Sequence, residues 1–96
     1  MNILITGSKG FIGSNLKIFL SLEKKYLIFE HNRHDTKAKL IKKIQKVDLI
    51  IHAAAQPSHD WAYQNPRLDF KINAEGTLNM LELFKTYNKK SVFILT

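Results

Sequence analysis

Three of the four glycines in this 96-residue chain lie within seven residues, between an apolar segment and an amphipathic one. Residues 3–5 are apolar, the glycines are Gly7, Gly10 and Gly13, and the amphipathic segment begins at Phe11. A strand, a glycine turn and a helix start in this order are typical of the turn that holds the pyrophosphate of a dinucleotide. A helix N-terminus attracts phosphate through its N–H groups without a basic side chain. A tight turn in another kind of α/β protein is the alternative.

Hydrophobic periodicity predicts four short strands that alternate with three helices. The strands are expected at residues 2–6, 26–30, 48–54 and 91–96, and the helices at 11–22, at about 36–47 and from Pro66 onward. Strands joined by helical connections predict an α/β fold with a doubly wound parallel sheet, here of about four strands. The length fits one domain, residues 1–96, with a single small core.

The last helix and strand carry more specific expectations. A stripe of large apolar residues predicts the buried face of the helix that begins at Pro66, and Gly76 within it predicts close packing. The stripe comprises Leu68, Ile72, Leu78, Leu81 and Phe84. Residues 92–95 are expected to lie exposed along an edge of the sheet.

Composition narrows the class of protein. Fifteen Lys and Arg against eight Asp and Glu give a net charge of +7, but five of the lysines crowd the second predicted helix. A solvated helix face explains them better than a nucleic-acid surface, which would combine arginines with aromatic residues. The chain has no cysteine and no apolar run near the ~20 residues of a membrane span. We therefore expect a cytoplasmic protein that binds neither membrane nor nucleic acid.

The end of the second strand bears on the choice between NAD and NADP. An acid there favours NAD because it binds the ribose hydroxyls, whereas an arginine accommodates the 2′-phosphate of NADP. The chain reads Glu30, His31, Asn32, Arg33. Glu30 can point either way on its strand, and without a gap the position of the usual acid is occupied by His31. Arg33 is therefore the better placed polar group, which slightly favours NADP; a solvated loop arginine is the alternative, and NAD or NADP remains open.

Small residues and one histidine follow at the end of the third strand. Ala53, Ala54 and Ala55 would leave room for a flat cofactor ring, although tight packing would also require small residues. His52 interrupts an apolar strand, and a packed, hydrogen-bonded histidine is favoured there over a functional one. His59 and Asp60 are too few ligands for a metal site, so no metal is expected.

Two segments together carry a family resemblance. ILITGSKGFIGSNL, residues 3–16, has the T-G-x-x-G-x-x-G motif and resembles the NAD-dependent epimerase/dehydratase group of the extended short-chain dehydrogenase/reductases. HAAAQPSHDWAYQNPRLDFKINAEGTLNMLEL, residues 52–83, is similar to its CDP-paratose 2-epimerase branch. The resemblance departs at residues 33–47, where the family normally has a helix, a strand and a further helix.

The resemblance implies a Rossmann-like fold and a set of cofactor-binding residues. The glycines would form the phosphate loop, N–H groups of Phe11 and Ile12 would bind the pyrophosphate, and Arg33 would meet the adenosine ribose. The three alanines would line the path to the nicotinamide, Asn73 would support that site, and residues 56–61 would face a sugar nucleotide. The implied set is Gly7, Gly10, Phe11, Ile12, Gly13, Arg33, Ala53, Ala54, Ala55 and Asn73.

The family's chemistry needs residues that this chain lacks. Its members oxidise and re-reduce a sugar by hydride transfer, with a Tyr-x-x-x-Lys pair as base and acid. Tyr26, Tyr63 and Tyr87 are followed four residues later by Glu, Arg and Ser, so no catalytic residue is predicted. We expect the cofactor-binding N-terminal part of an enzyme that acts on a nucleotide-activated deoxysugar in polysaccharide biosynthesis, homodimeric when whole, and without activity in this part alone. A stand-alone NAD(P)-binding or sensing module and a basic nucleic-acid-binding protein are the alternatives.

Overall fold

The computed structural model describes residues 1–32, 34–54 and 63–96. Within them, strands and helices alternate in the predicted order. The elements are β1 (Asn2–Thr6), α1 (Phe11–Ser21), β2 (Leu27–His31), α2 (Lys37–Lys46), β3 (Leu49–His52), α3 (Pro66–Tyr87) and β4 (Val92–Leu95). The third and fourth strands are shorter than the predicted ranges 48–54 and 91–96, because residues pair in register with a neighbouring strand only over Leu49–His52 and Val92–Leu95.

The four strands form one parallel sheet in the order β2-β1-β3-β4. Helix α1 packs on one face through Leu16 and Leu20, against a cluster that includes Ile3 and Ile5. Helices α2 and α3 pack on the other face, where Leu4 is fully buried. Because both faces are covered, the central strands are apolar at nearly every position. The predicted doubly wound α/β fold is confirmed.

A single helix, α2, crosses from β2 to β3, and β3 pairs directly with β1. The Thr36 hydroxyl caps α2 by accepting from the Lys39 N–H at 3.2 Å. Leu40 and Ile44 are buried on the sheet side, while most of the helix lysines are exposed. The region where the chain departs from the family pattern is thus one amphipathic helix.

The predicted buried face of α3 is wrong for all but its C-terminal end. Met80 is buried and Phe84 packs beside it, but the other four residues of the predicted stripe are at least 40% exposed. Between Asp69 and Thr77, the partly buried residues of α3 are polar or small, namely Asp69, Asn73, Gly76 and Thr77, whereas the large apolar residues there are exposed. A Cβ on Gly76 would meet nothing within 4 Å, so its predicted close packing is also wrong.

The edge of the sheet behaves as predicted except at Phe93, which is partly buried against the core. Strand β4 pairs with β3 alone among the described strands, and Val92, Ile94 and Leu95 are exposed along it. None of the helices in the described parts of the chain combines the length and the apolar character needed to cross a bilayer.

Candidate dinucleotide site

The strand order itself indicates where a ligand would bind. From β1 the chain moves to β2 on one side, then returns past β1 to β3 on the other. In open α/β sheets, ligands bind at the carboxyl ends of the strands where the direction reverses. The turn after Thr6 and the segment after His52 both lie at this switch point, since these residues end β1 and β3 and are register partners.

Gly7 makes the first turn out of β1 and requires glycine for two reasons. Its φ is +70°, the one positive value among the described residues. A Cβ at this position would lie 2.6 Å from both the N and the Cα of Ala54, closer than real Cβ contacts. Backbone therefore packs directly against backbone here, and the ends of β1 and β3 form one continuous surface.

Gly10 and Gly13 bring the start of α1 close to the same turn. The Gly10 N–H donates to the Gly7 carbonyl at 3.0 Å. A Cβ on Gly13 would collide with the Gly7 carbonyl group and come within 2.9 Å of the Ser8 Cα. The helix begins with no side-chain cap and no acid in its first turn. The Phe11 and Ile12 N–H groups are among those that an α-helix leaves without an intrahelical acceptor, which suits an anion.

A buried polar pair lies directly beneath the turn. Thr6 Oγ1 is 2.7 Å from His52 Nδ1 and also accepts from the Ala54 N–H at 3.4 Å, while the Thr6 carbonyl accepts from the Ala53 N–H at 3.1 Å. Burial lowers the pKa of His52 and so favours the neutral ring, whose tautomer decides which member of the Thr6–His52 hydrogen bond donates. The favoured interpretation of His52 as a packed, hydrogen-bonded core residue agrees with this geometry.

A cleft of about 590 Å³ opens where β3 and β4 end against the N-terminal half of α3. Ala54 and Asn73 both line it, together with Thr77 and Thr96. Asn73 is held from its own helix, since its Nδ2 donates to Asp69 Oδ2 at 3.4 Å. Two of the predicted site residues from distant parts of the sequence therefore meet in one cleft beside the glycine turn.

The end of β2 carries charged side chains on the α1 side. Glu30 Oε2 is 3.0 Å from Lys17 Nζ, which reaches it from the middle of α1. The nearby Ser8 hydroxyl and then Lys17 hold the pKa of Glu30 below its ordinary value. Ser8 Oγ is buried and makes no hydrogen bond of standard geometry to the described residues. Glu30 thus faces the glycine turn, an orientation that the sequence left open.

On the opposite side of β2, the segment after His31 is held by Asp35. Its carboxylate accepts from the Asn32 N–H at 3.1 Å and from Lys43 Nζ at 3.2 Å. These contacts, led by the Asn32 N–H, lower the pKa of Asp35. A cleft of about 340 Å³ lies beside this segment, lined by His31, Asp35 and residues of α2 and α3.

Several predicted site residues lie outside the described residues. Arg33, Ala55 and the segment 56–61, with His59 and Asp60, belong to this group. Sequence reasoning did not select Thr6, Ser8 or Lys17. Thr6 had a signal, because it is a polar residue at the end of an apolar strand, directly before the glycine turn. For Lys17, the spacing along α1 gives no hint of a partner in β2.

Residues 3–96 match the model of the NAD dependent epimerase/dehydratase family. The chain belongs to this family. Its glycine turn and the paired ends of β1 and β3 are accordingly those of an epimerase/dehydratase family member with a Rossmann-like sheet.

This family member is similar to two named relatives and to one further solved structure. It is 33% identical to the CDP-paratose 2-epimerase of Salmonella typhi, an alignment that covers 92% of this chain and 34% of that protein. The capsular polysaccharide assembling protein CapF of Staphylococcus aureus is 32% identical with a TM-score of 0.67, over 97% of this chain and 24% of CapF. RMD of Pseudomonas aeruginosa, whose structure is complexed with NADPH, shares the fold at 24% identity and a TM-score of 0.71, over 98% of this chain and 34% of RMD. This family member spans about a third of the length of the curated relative.

Proposed function

We propose that this chain binds NAD(H) or NADP(H) at its glycine turn, as the cofactor-binding part of a nucleotide-sugar epimerase or dehydratase. The observation that carries the proposal is the backbone contact between Gly7 and Ala54, next to the uncapped start of α1. Because Gly7 and Gly10 carry no side chain, the backbone of the turn can be approached by a phosphate at these two positions. Family membership and the name of the CDP-paratose 2-epimerase relative support the substrate class.

The described residues fit a dinucleotide in its expected order. N–H groups of Phe11 and Ile12 would bind the pyrophosphate, and Gly7, Gly10 and Gly13 would let the backbone approach it. The adenosine end would meet the segment that begins at Glu30 and includes Arg33. The other end would pass the alanines, Ala53 to Ala55, toward the cleft that Asn73 lines.

A bound nicotinamide supplies a hydride acceptor and donor for the sugar carbon. The side chains of this chain would bind and orient the dinucleotide, and the exposed apolar residues of α3 would suit the subunit interface of a homodimeric whole enzyme. The chain contains no Tyr-x-x-x-Lys pair. We therefore expect the 96-residue chain alone to bind cofactor without catalysing sugar epimerisation.

Calorimetric titration of the 96-residue chain with NADH and with NADPH tests the proposal, with Gly10→Ala as the informative variant. Gly10 has an ordinary φ of −76°, and a Cβ there would lie 3.3 Å from the Gly7 carbonyl oxygen. The fold should survive, but a methyl group would stand in the path of the phosphates. We expect at least about tenfold weaker binding, comparable to the loss of one well-placed contact.

Gly76→Ala is the matched control, because it adds the same methyl group in α3 where a Cβ meets nothing within 4 Å. Its cofactor affinity should equal that of the unsubstituted chain. Binding of neither dinucleotide by the unsubstituted chain, or equal binding by both glycine variants, would contradict the proposed function. Tight binding together with a cooperative thermal transition would support the stand-alone binding module over a part that needs the rest of an enzyme.

A further inference from the structure

Glu30 is an acid at the end of the second strand, the position that senses the adenosine ribose in dinucleotide folds. Its carboxylate is turned toward the glycine turn and is held at 3.0 Å by Lys17. Among the described residues, Lys17 provides the one ammonium group within 4 Å of this carboxylate. Both side chains remain partly exposed, 43% for Lys17 and 34% for Glu30, so the pair can be reached by a ligand.

The charge at this point matters because the two cofactors differ there. NADPH carries a 2′-phosphate on the adenosine ribose, and NADH carries a hydroxyl group. An unpaired carboxylate within several ångströms would repel the phosphate and would accept a hydrogen bond from the hydroxyl. When an ammonium group lies beside the carboxylate, the two opposite charges nearly cancel, and a nearby phosphate meets almost no net charge.

Among the residues that the structure describes, the other cations near Glu30 do not replace Lys17. Lys43 Nζ donates to the backbone carbonyl of Glu30 and binds the Asp35 carboxylate, so its charge is already matched by a second acid. Lys9 lies exposed in the glycine turn, and no ion pair joins it to Glu30 among the described contacts. Removal of Lys17 would therefore leave the Glu30 charge uncompensated on the side of the glycine turn.

We propose that Lys17, by neutralising Glu30, is a specificity-determining residue that allows a dinucleotide with a 2′-phosphate to bind at this site. The inference rests on the proposed cofactor-binding function and adds the residue that governs discrimination between NADPH and NADH. Lys17 acts through Glu30, and contact between Lys17 and the cofactor is not required.

The test measures dissociation constants for NADPH and NADH with the complete 96-residue chain and with Lys17→Met, Glu30→Gln and the double variant. In Lys17→Met, NADPH binding should weaken about three- to tenfold, as expected for one uncovered charge at a partly solvated site, while NADH binding changes less than about twofold. Glu30→Gln should strengthen NADPH binding about threefold, because the Lys17 charge is then unopposed. The double variant should restore the original NADPH-to-NADH ratio to within about twofold.

Lys46→Met is the matched control for the loss of a lysine charge. Lys46 ends α2 at the opposite end of the sheet, where its carbonyl accepts from Asn2 Nδ2 at the start of β1. The ratio of the NADPH and NADH affinities of Lys46→Met should remain that of the unsubstituted chain. Raising the salt concentration should shrink the effect of Lys17→Met, since ions screen partly exposed charges.

The outcomes separate this inference from the proposed function. Binding of neither cofactor by the unsubstituted chain would overturn the proposed function and this inference with it. Normal binding with an unchanged ratio in Lys17→Met would overturn the role of Lys17 alone. Circular dichroism checks the fold of each variant; should Lys17→Met not fold, an unchanged ratio in Glu30→Gln would overturn the inference by itself.

Discussion

The two polar clusters at the carboxyl end of the sheet are built in different ways. Beneath the glycine turn, Thr6 and His52 are 2% and 4% exposed, and backbone packs on backbone. At the end of β2, Lys17 and Glu30 meet through long side chains that are about ten times more exposed. In the site that we propose, the first cluster would determine the backbone shape and the second would determine the charge. Substitutions in the first should change stability, and substitutions in the second should mainly change which ligand is preferred.

Gly7→Ala should produce the largest effect on the buried side of this comparison. An added Cβ would meet Ala54 backbone atoms at 2.6 Å, and the residue would keep a positive φ that alanine disfavours. Strain and overpacking together should lower the free energy of unfolding by about 3 kcal/mol or more, a large share of the stability of a small domain. Urea unfolding followed by circular dichroism measures the loss. A urea unfolding curve of Gly7→Ala that matches the curve of Gly76→Ala would show that the turn is not constrained as described.

Thr6→Val should have the next largest effect. The substitution leaves His52 Nδ1 and the Ala54 N–H without their partner in a buried environment. We expect a loss of about 1–3 kcal/mol, the usual penalty for unpaired buried polar groups. Thr86→Val, at an exposed position of α3, is the control for the same chemical change. Equal unfolding midpoints for the two variants would contradict a stabilising role for the Thr6–His52 pair.

The buried cluster was largely predictable, because its constraints are local. A glycine turn between an apolar strand and a helix restricts the backbone at Gly7, Gly10 and Gly13, whatever the rest of the chain does. The small residues after β3 were selected because they leave room for a cofactor ring; the structure shows that Ala54 also packs against the turn, which was the alternative reason for a small residue there. Hydrophobic periodicity could not predict the pairing of Thr6 with His52, because this pairing depends on strand register.

The charged cluster and the outer helix faces were not predictable in the same way. The direction of Glu30 depends on the register of β2 against β1 and on a partner thirteen residues earlier in α1. In α3, two residues of the predicted stripe, Leu78 and Leu81, line the open cleft beside Asn73 and Thr77 instead of the closed core. They therefore stay exposed, and hydrophobic periodicity alone does not distinguish an apolar cleft wall from a buried face.

The burial of two histidines predicts a smaller effect on the stability of the fold, one that depends on pH. Burial lowers the pKa of both His52 and His31, so the folded chain favours the neutral rings. Stability is fully present above about pH 6.5 and is lost as the pH falls from there toward the folded pKa, because the unfolded chain then binds more protons. Between about pH 8 and pH 6 the loss should be less than about 1 kcal/mol per histidine. Thermal unfolding of His52→Gln should show a weaker pH dependence than His34→Gln, which changes an exposed ring; equal dependence would contradict the role of His52.

Lys43→Met should have the smallest effect on stability and tests the charged side of the comparison. Lys43 joins the backbone of Glu30 to the Asp35 carboxylate and so holds the segment after β2. Both charged side chains of the Lys43–Asp35 pair are about a quarter exposed, so water and salt weaken their attraction. We expect the melting temperature to fall by less than about 4 °C relative to Lys42→Met, an exposed neighbour on the same helix. A fall as large as that of Thr6→Val would mean that the ion pairs at the end of β2, like the buried pair beneath the glycine turn, are part of the fold's support.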